Sequence, residues 1–320
     1  MAYVFGPIAS RRLGVSLGVD LVPPKTCPLD CVYCEAGRTT DLTIKRSECV
    51  PVDRVIEELD AVLCKHPKLD FVTFSGSGEP TLNSRIGDVV KFMKSRYPEY
   101  PICLLTNAML FGDRRLLEEI ADVDLVVPSL DGSNAEEFLK INRPVAGFDF
   151  DRFVGDLTRY TLTTRSRVNL ELFIVPGVND SDASIARFVE LIRKMRLALV
   201  QLNTLDRPGV EKFVVPSTPE NTHRFIAALS PFVAVEAVGV FRYRAPRPGR
   251  KFTATESQVR ILELIRRRPA TLPDLALALE LPEAEAEKIL DELFVAGKVG
   301  IQKQQRGNFY IPAPETEGAK

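Results

Sequence analysis

Cys27, Cys31 and Cys34 fall within eight residues, in the run Thr26-Cys27-Pro28-Leu29-Asp30-Cys31-Val32-Tyr33-Cys34. A C-x3-C-x2-C loop this short brings three thiols to one centre, and the rest of the fold must be built around it. The other cysteines, Cys49, Cys64 and Cys103, share no spacing, and all six lie in the first third of the chain. A disulfide framework would be spread more evenly. The amino terminus, MAYVFGPIASRRLG, lacks the basic start and apolar stretch of a signal peptide, and no window approaches 18 unbroken apolar residues. A cytoplasmic protein with reduced thiols and no membrane segment is therefore expected. In that setting a tight cysteine group reads as metal binding or redox chemistry.

Structural zinc wants four protein ligands, and the only histidines are His66 and His223. Zinc with Cys49 as fourth ligand stays open on this evidence. An iron–sulfur cluster is usually held by four thiolates, so three leave one iron free for a non-protein ligand.

Around this loop the chain alternates. Short β-branched or aromatic runs at Leu69 to Phe74, Ile102 to Leu105, Asp124 to Val127, Val168 to Val175 and Ala198 to Asn203 read as buried strands. Amphipathic stretches at Asp53 to Lys65, Ile86 to Arg96, Arg114 to Ala121, Phe148 to Thr163 and Ser184 to Met195 read as helices between them. Alternation of this kind predicts parallel pairing with right-handed crossovers, an α/β sheet or partial barrel over about residues 15 to 240. Chemistry in such folds gathers where strands end. There stand Ser75-Gly76-Ser77-Gly78-Glu79-Pro80-Thr81, Thr106-Asn107, Ser129-Leu130-Asp131 and, after the next strand, Gln201, Asn203, Thr204 and Arg207. A dinucleotide fingerprint needs a third Gly or Ala where this chain has Glu79, Pro80 and Thr81, and the Glu79 carboxylate would repel a pyrophosphate. Small polar residues at strand ends suit ribose hydroxyls, but they are also the favoured helix N-caps. Asn169 and Glu171 alternate with Val168, Leu170 and Leu172, which points them into a barrel.

The cysteine loop, with Tyr33 just before the last cysteine, resembles the signature of the radical S-adenosylmethionine (SAM) enzymes. The resemblance implies a [4Fe-4S] cluster on Cys27, Cys31 and Cys34, with the open iron chelated by SAM, and Tyr33 near the adenine. Gly76, Gly78 and Glu79 resemble the motif that contacts the SAM amino group, and Ile174 to Asp180 resembles the adenine-contacting strand end, which would supply backbone hydrogen bonds and an apolar wall that includes Val175. Thr106, Asn107, Ser129, Asp131 and Glu171 would line SAM, and Gln201, Asn203 and Arg207 the substrate. Gly6-Pro7-Ile8-Ala9-Ser10-Arg11-Arg12-Leu13-Gly14 and Ser16-Leu17-Gly18-Val19-Asp20 narrow the likeness to the wyosine-base-formation-related iron–sulfur oxidoreductase branch. The chain lacks the second cysteine group and the flavodoxin-like domain of some tRNA-modifying relatives.

Composition shifts at residues 242–251, ten residues with five bases, no acid and two prolines, a basic linker. Arginines beside Phe241, Tyr243 and Phe252 suit a solvated connector or a single-stranded RNA contact. Three helical stretches, Glu256 to Arg268, Leu272 to Leu281 and Glu283 to Ala296, precede a two-stranded ribbon around Arg306-Gly307, an order that resembles a winged helix-turn-helix. The third helix carries Glu283, Glu285, Glu287, Asp291 and Glu292 against Lys288 alone, which opposes phosphate. With 42 Lys and Arg against 43 Asp and Glu, no whole-chain field favours nucleic acid either.

The expected organisation is a partial (β/α)6 TIM-like barrel of radical SAM type over residues 1–241 with its cluster loop at 26–38. The linker at 242–251, a winged-helix-like domain at 252–312 and a flexible tail at 313–320 follow. The expected activity is reductive cleavage of SAM and hydrogen abstraction from an unidentified substrate, RNA such as tRNA, a peptide or a small metabolite. A flavodoxin- or ferredoxin-type electron donor is the implied partner. A non-catalytic iron–sulfur regulator of nucleic acid is the rival of another class.

Overall fold

The computed structural model describes residues 2–10, 12–207, 209–238, 254–267, 269–279, 281–304 and 307–313. The basic linker, Arg306 and the tail after Ala313 lie outside them. The described residues form two compact units, one running to Leu205 and resuming from Gly209 to Val238, the other made of Asp206 and Arg207 with the chain from Ala254 onward.

The first unit opens with a hairpin of β1 (Val4–Ser10) and β2 (Gly14–Val19), followed by β3 (Thr26–Cys27) and β4 (Asp41–Leu42), which flank the cysteine loop. Strands and helices then alternate: α1 (Val52–Leu63), β5 (Phe71–Phe74), a 3-10 turn at Pro80–Leu82, α2 (Ile86–Arg96), β6 (Ile102–Thr106), α3 (Arg114–Glu119), β7 (Leu125–Pro128), α4 (Ala135–Asn142), α5 (Phe150–Thr163), β8 (Arg167–Phe173), α6 (Asp182–Ile192), β9 (Leu199–Asn203), α7 (Pro219–Leu229) and β10 (Val235–Ala237). The eight-stranded sheet has the order β1-β2-β5-β6-β7-β8-β9-β10. Only β1 runs antiparallel to its neighbour; the other pairings are parallel, as the alternation predicts.

Period-two alternation divides each strand between two faces. Leu17, Val19, Val72, Phe74, Ile102, Leu104, Val126, Leu170, Leu172, Val200 and Leu202 pack outward into one core with the helices. Helix α1 meets it with Val52, Val55, Leu59 and Leu63, a single stripe at helical spacing. Full burial of each such side chain contributes about 1.5–3 kcal/mol. Helices α3, α4, α5 and α6 start on the side chains of Asp113, Asn134, Asp149 and Ser181, each accepting a first-turn N–H. The inner face holds Leu13, Cys103, Leu125 and Val127 as a small apolar floor, with polar side chains beyond it.

The strand expected at Val168 to Val175 stops pairing at Phe173, because Asn179 Oδ1 takes the Val175 N–H at 2.8 Å. The β1–β2 hairpin and helices α4 and α7 add to the expected elements.

The second unit runs α8 (Ala254–Arg267), β11 (Ala270–Thr271), α9 (Leu272–Leu279), α10 (Glu283–Val295), β12 (Val299–Gln304) and β13 (Gly307–Pro312). Strand β13 lies between β11 and β12. Ile261, Ile265, Leu275, Leu279, Leu290 and Leu293 close its core. The acids of α10 are all exposed. No helix among the described residues is long and apolar enough to cross a membrane.

Candidate metal centre and ligand site

The cysteine loop is docked on the C-terminal end of α4. The N–H groups of Asp30 and Val32 donate to the carbonyls of Asn142 and Ile141, each at 2.9 Å, and the Val145 N–H donates to the Pro28 carbonyl at 2.9 Å. Arg143 adopts φ 46°, which ends α4 and turns the chain toward Pro144, the bridge partner of Leu29. Tyr33 is held twice: its ring stacks on Phe173 at 3.8 Å between centroids, and its hydroxyl donates to Asp131 Oδ2 at 2.5 Å.

All three thiols are pushed up by burial. The Glu79 carboxylate adds to this at Cys27, the Cys27 sulfur adds at Cys31, and at Cys34 the backbone N–H groups of Ala36 and Gly37 partly oppose it. Desolvated thiolates that repel one another need a cationic centre to carry their charge. Two side-chain amides already face the sulfurs: Asn107 Nδ2 lies 3.4 Å from Cys27 Sγ, and Asn142 Nδ2 lies 3.4 Å from Cys31 Sγ. An all-sulfur donor set ringed by N–H donors fits an iron–sulfur cluster. Among the described residues no three His, Cys, Asp or Glu side chains converge on a single ion. Cys49, the fourth ligand a zinc site would need, is instead within hydrogen-bond reach of Ser47 and the Leu82 carbonyl.

The Ser75 to Thr81 segment packs against the root of the cysteine loop. A Cβ on Gly78 would sit 2.4 Å from the Thr26 carbonyl, and one on Gly76, at φ 141°, would overlap the Asp20 carboxylate, so only glycine allows this approach. The Glu79 N–H donates to that same Thr26 carbonyl at 3.0 Å. Its buried carboxylate ties the ends of β5 and β6 together. Oε1 accepts from Thr81 N at 3.2 Å, Thr81 Oγ1 at 2.6 Å and Thr106 Oγ1 at 2.7 Å; Oε2 accepts from Asn107 N at 2.8 Å. Burial raises the Glu79 carboxyl despite these donors. Oε1 takes three of these donors and Oε2 only one, so Oε2 is the oxygen with room to accept from a ligand.

Asp131 is a second such knot. Besides Tyr33 it accepts from Asn142 Nδ2 at 2.7 Å and Phe173 N at 2.9 Å, and burial raises its carboxyl. Beside it Asn179, fully buried, donates to the carbonyls of Asp131 and Phe173 at 2.7 and 2.8 Å. Asn179 Oδ1 takes the Val175 N–H, so that group is not free for the backbone hydrogen bond expected of this strand end, and the Val175 side chain is buried in a cluster with Val32, Ile141 and Phe173. Ser129 bridges Glu171 in register between β7 and β8.

Deeper on the inner face, Glu171 meets the guanidinium of Arg12, which rises from the turn before β2. Asn169 and Gln201 are buried, and the side-chain oxygen of each has no hydrogen-bond partner; Gln201 Nε2 reaches Glu236 at 3.3 Å. Asn203 Oδ1 accepts from Thr204 N at 3.0 Å. Arg207 belongs to the second unit, where its guanidinium donates to Asp274 at 3.3 Å. The structure thus gathers Cys27, Cys31, Cys34, Tyr33, Glu79, Thr106, Asn107 and Asp131 around the loop, with Glu171, Gln201 and Asn203 on the inner face. Arg207 is engaged elsewhere. Asn179 and Arg12, which lie in the Ile174 to Asp180 and Gly6 to Gly14 stretches, and Asn142, which has no sequence signal of its own, complete the site; only proximity in space reveals their partners.

The family model described as the Radical SAM superfamily matches residues 21–189. A UPF0026 protein of Helicobacter pylori is 27% identical over 96% of each chain. A protein of Brachyspira hyodysenteriae named GTPase Obg is 29% identical over 92% of this chain, which spans only 43% of that relative. Among solved structures, a radical SAM methyltransferase from Sphaerobacter thermophilus superposes with a TM-score of 0.56 at 19% identity, over 69% of this chain and 65% of that one, a likeness of fold.

Proposed function

This chain belongs to the radical SAM superfamily, and on that premise we propose that Cys27, Cys31 and Cys34 hold its cluster and that the ring of strand-end residues above the barrel holds SAM. The protein is a radical SAM enzyme whose cofactors are a [4Fe-4S] cluster and SAM. Bound together and given one electron, these supply cleavage of SAM to methionine and a 5′-deoxyadenosyl radical, which takes a hydrogen atom from substrate. The residues of the chain do the rest. Docking on α4 and the Tyr33–Phe173 stack fix the loop. The free acceptor position of Glu79 Oε2 receives an ammonium, the chemistry of the SAM amino group. Gly76 and Gly78 keep backbone close to the loop, and Thr106, Asn107, Ser129, Asp131 and Glu171, at the strand ends and on the inner face, would contact SAM, with Val175 in the apolar wall behind them. Gln201 and Asn203 present polar groups to a substrate, the Gln201 oxygen being unengaged.

The observation that carries this reading is three half-buried, desolvated thiols in one short loop with amide N–H groups directed at two of them. Anaerobic reconstitution with iron and sulfide, then dithionite and SAM, is expected to yield 5′-deoxyadenosine by mass spectrometry, lost in Cys31→Ala. A fully clustered protein that makes none would overturn the enzyme reading in favour of an iron–sulfur regulator. Radical SAM enzymes need an electron donor, and a flavodoxin or ferredoxin of the cytoplasm fits that part here.

The Gly6 to Asp20 segment, folded as the β1–β2 hairpin, supports placement in the wyosine-related branch. The helix and strand order of the second unit supports a winged helix, and the exposed acids of α10 repel phosphate. A peptide or small metabolite therefore suits that unit better than a duplex. An RNA substrate rests on the arginines of the linker; charge reversal at Arg244, Arg247 and Arg250 with unchanged RNA affinity would remove it.

A further inference from the structure

Asn107 follows strand β6 and Asn142 is the last residue of helix α4, yet each aims its side-chain amide at a cysteine of the loop, at the same distance of 3.4 Å from sulfur. Nitrogen and oxygen of an amide are assigned from their surroundings, and here the surroundings decide both. Asn107 Oδ1 accepts the Met109 N–H at 3.1 Å, so its nitrogen is the atom left to face Cys27. Asn142 Nδ2 donates to Asp131 Oδ2 at 2.7 Å as well as to Cys31. Turned over, it would set an oxygen against a carboxylate and a sulfur. Its Oδ1 is buried and without a partner. The fold accepts an orphaned acceptor in order to keep both N–H groups on Cys31 and Asp131.

We propose that Asn107 and Asn142 are positioning residues that set the reduction potential of the cluster, by donating N–H to the sulfurs of Cys27 and Cys31. The inference rests on the reading of those cysteines as cluster ligands. A reduced cluster carries one more negative charge than an oxidised one, shared onto its thiolates. A donor facing a thiolate stabilises the reduced form more, and so raises the potential. Because the Asn142 amide also holds Asp131, which accepts from the Tyr33 hydroxyl, the same side chain that tunes Cys31 through one N–H fixes the loop beside it through the other.

The test uses reconstituted full-length protein without SAM. Asn107→Ser keeps a side-chain oxygen for the Met109 N–H but cannot reach Cys27, and Asn142→Leu keeps the shape and removes the donor. Iron and sulfide content reports whether the cluster assembles, and EPR-monitored titration reports its midpoint potential. Each variant is expected to hold a full cluster at a more negative potential, and the double variant to be the most negative. Iron–sulfur stretching bands in resonance Raman spectra are expected to shift in deuterated buffer for the wild type, and to shift less in each variant. Full clusters with the wild-type potential and deuterium response would overturn the proposal. Should Asn142→Leu fail to fold, Asn107→Ser, on a separate element, decides alone. A full cluster in Cys31→Ala would instead sink the underlying ligand assignment.

Discussion

The ring of Tyr33 lies flat on that of Phe173, 3.8 Å between centroids and 6° between planes. One ring belongs to the cysteine loop and the other to the last residue of β8, so the stack clamps the loop to the barrel. Phe173→Ala is expected to cost about 3–5 kcal/mol of unfolding free energy and to reduce the iron retained after reconstitution. Tyr33→Phe keeps the stack and loses one hydrogen bond, for about 1 kcal/mol. Denaturant unfolding of both reports the difference; equal losses would contradict the clamp.

Glu79→Gln replaces one acceptor oxygen by an NH2 group facing donors from Thr81, Thr106 or Asn107. One donor is then left unpaired in a buried site, for about 1–3 kcal/mol, and an ammonium loses its charged partner. Lower stability together with weaker SAM binding, read by equilibrium dialysis, is the expected pair of effects. Weaker binding at wild-type stability would show that the strand-end ring does not depend on Glu79.

Cys103 faces the apolar floor, and burial pushes its thiol up to about 12. At pH 8 its thiolate is then on the order of one part in ten thousand. Iodoacetamide should label exposed Cys64 in native protein and spare Cys103 until denaturant is added. Peptide mass spectrometry showing both labelled at one rate would mean that the floor is open.

Burial alone would raise Glu137, but Ser184, Ser133 and Arg187 donate to it and leave its carboxyl below the ordinary 4.5. A depressed folded value contributes stability that is full above the ordinary value and fades as pH falls through the lower one. The stability gap between wild type and Glu137→Gln should be steady from about pH 7 to 5 and narrow below about pH 4. A gap that widens in acid would reverse the sign of the shift.

The parallel sheet, its outer core and the cysteine loop were legible because each is written locally: period two in β8, helical spacing in α1, three thiols in one loop. What was not legible is held by contacts between distant parts of the chain. Asn142 is 111 residues from Cys31 and ends a helix whose own pattern says nothing of sulfur. Asn179 lies in the stretch that resembles an adenine-contacting strand end, yet its side chain takes the Val175 N–H just after β8. Arg207 has the composition of a ligand-holding residue, and a carboxylate of the second unit takes it first.

Arg12, at the foot of β2, grips Glu171 on β8, and in the sheet β5, β6 and β7 lie between those two strands. The ion pair is a chord across an arch. Its length fixes how far the two sides of the curve can spread, while Phe173 stands on one side and the root of the cysteine loop follows the other. Removing the Arg12 guanidinium is therefore felt at the crown of the arch as a change of span.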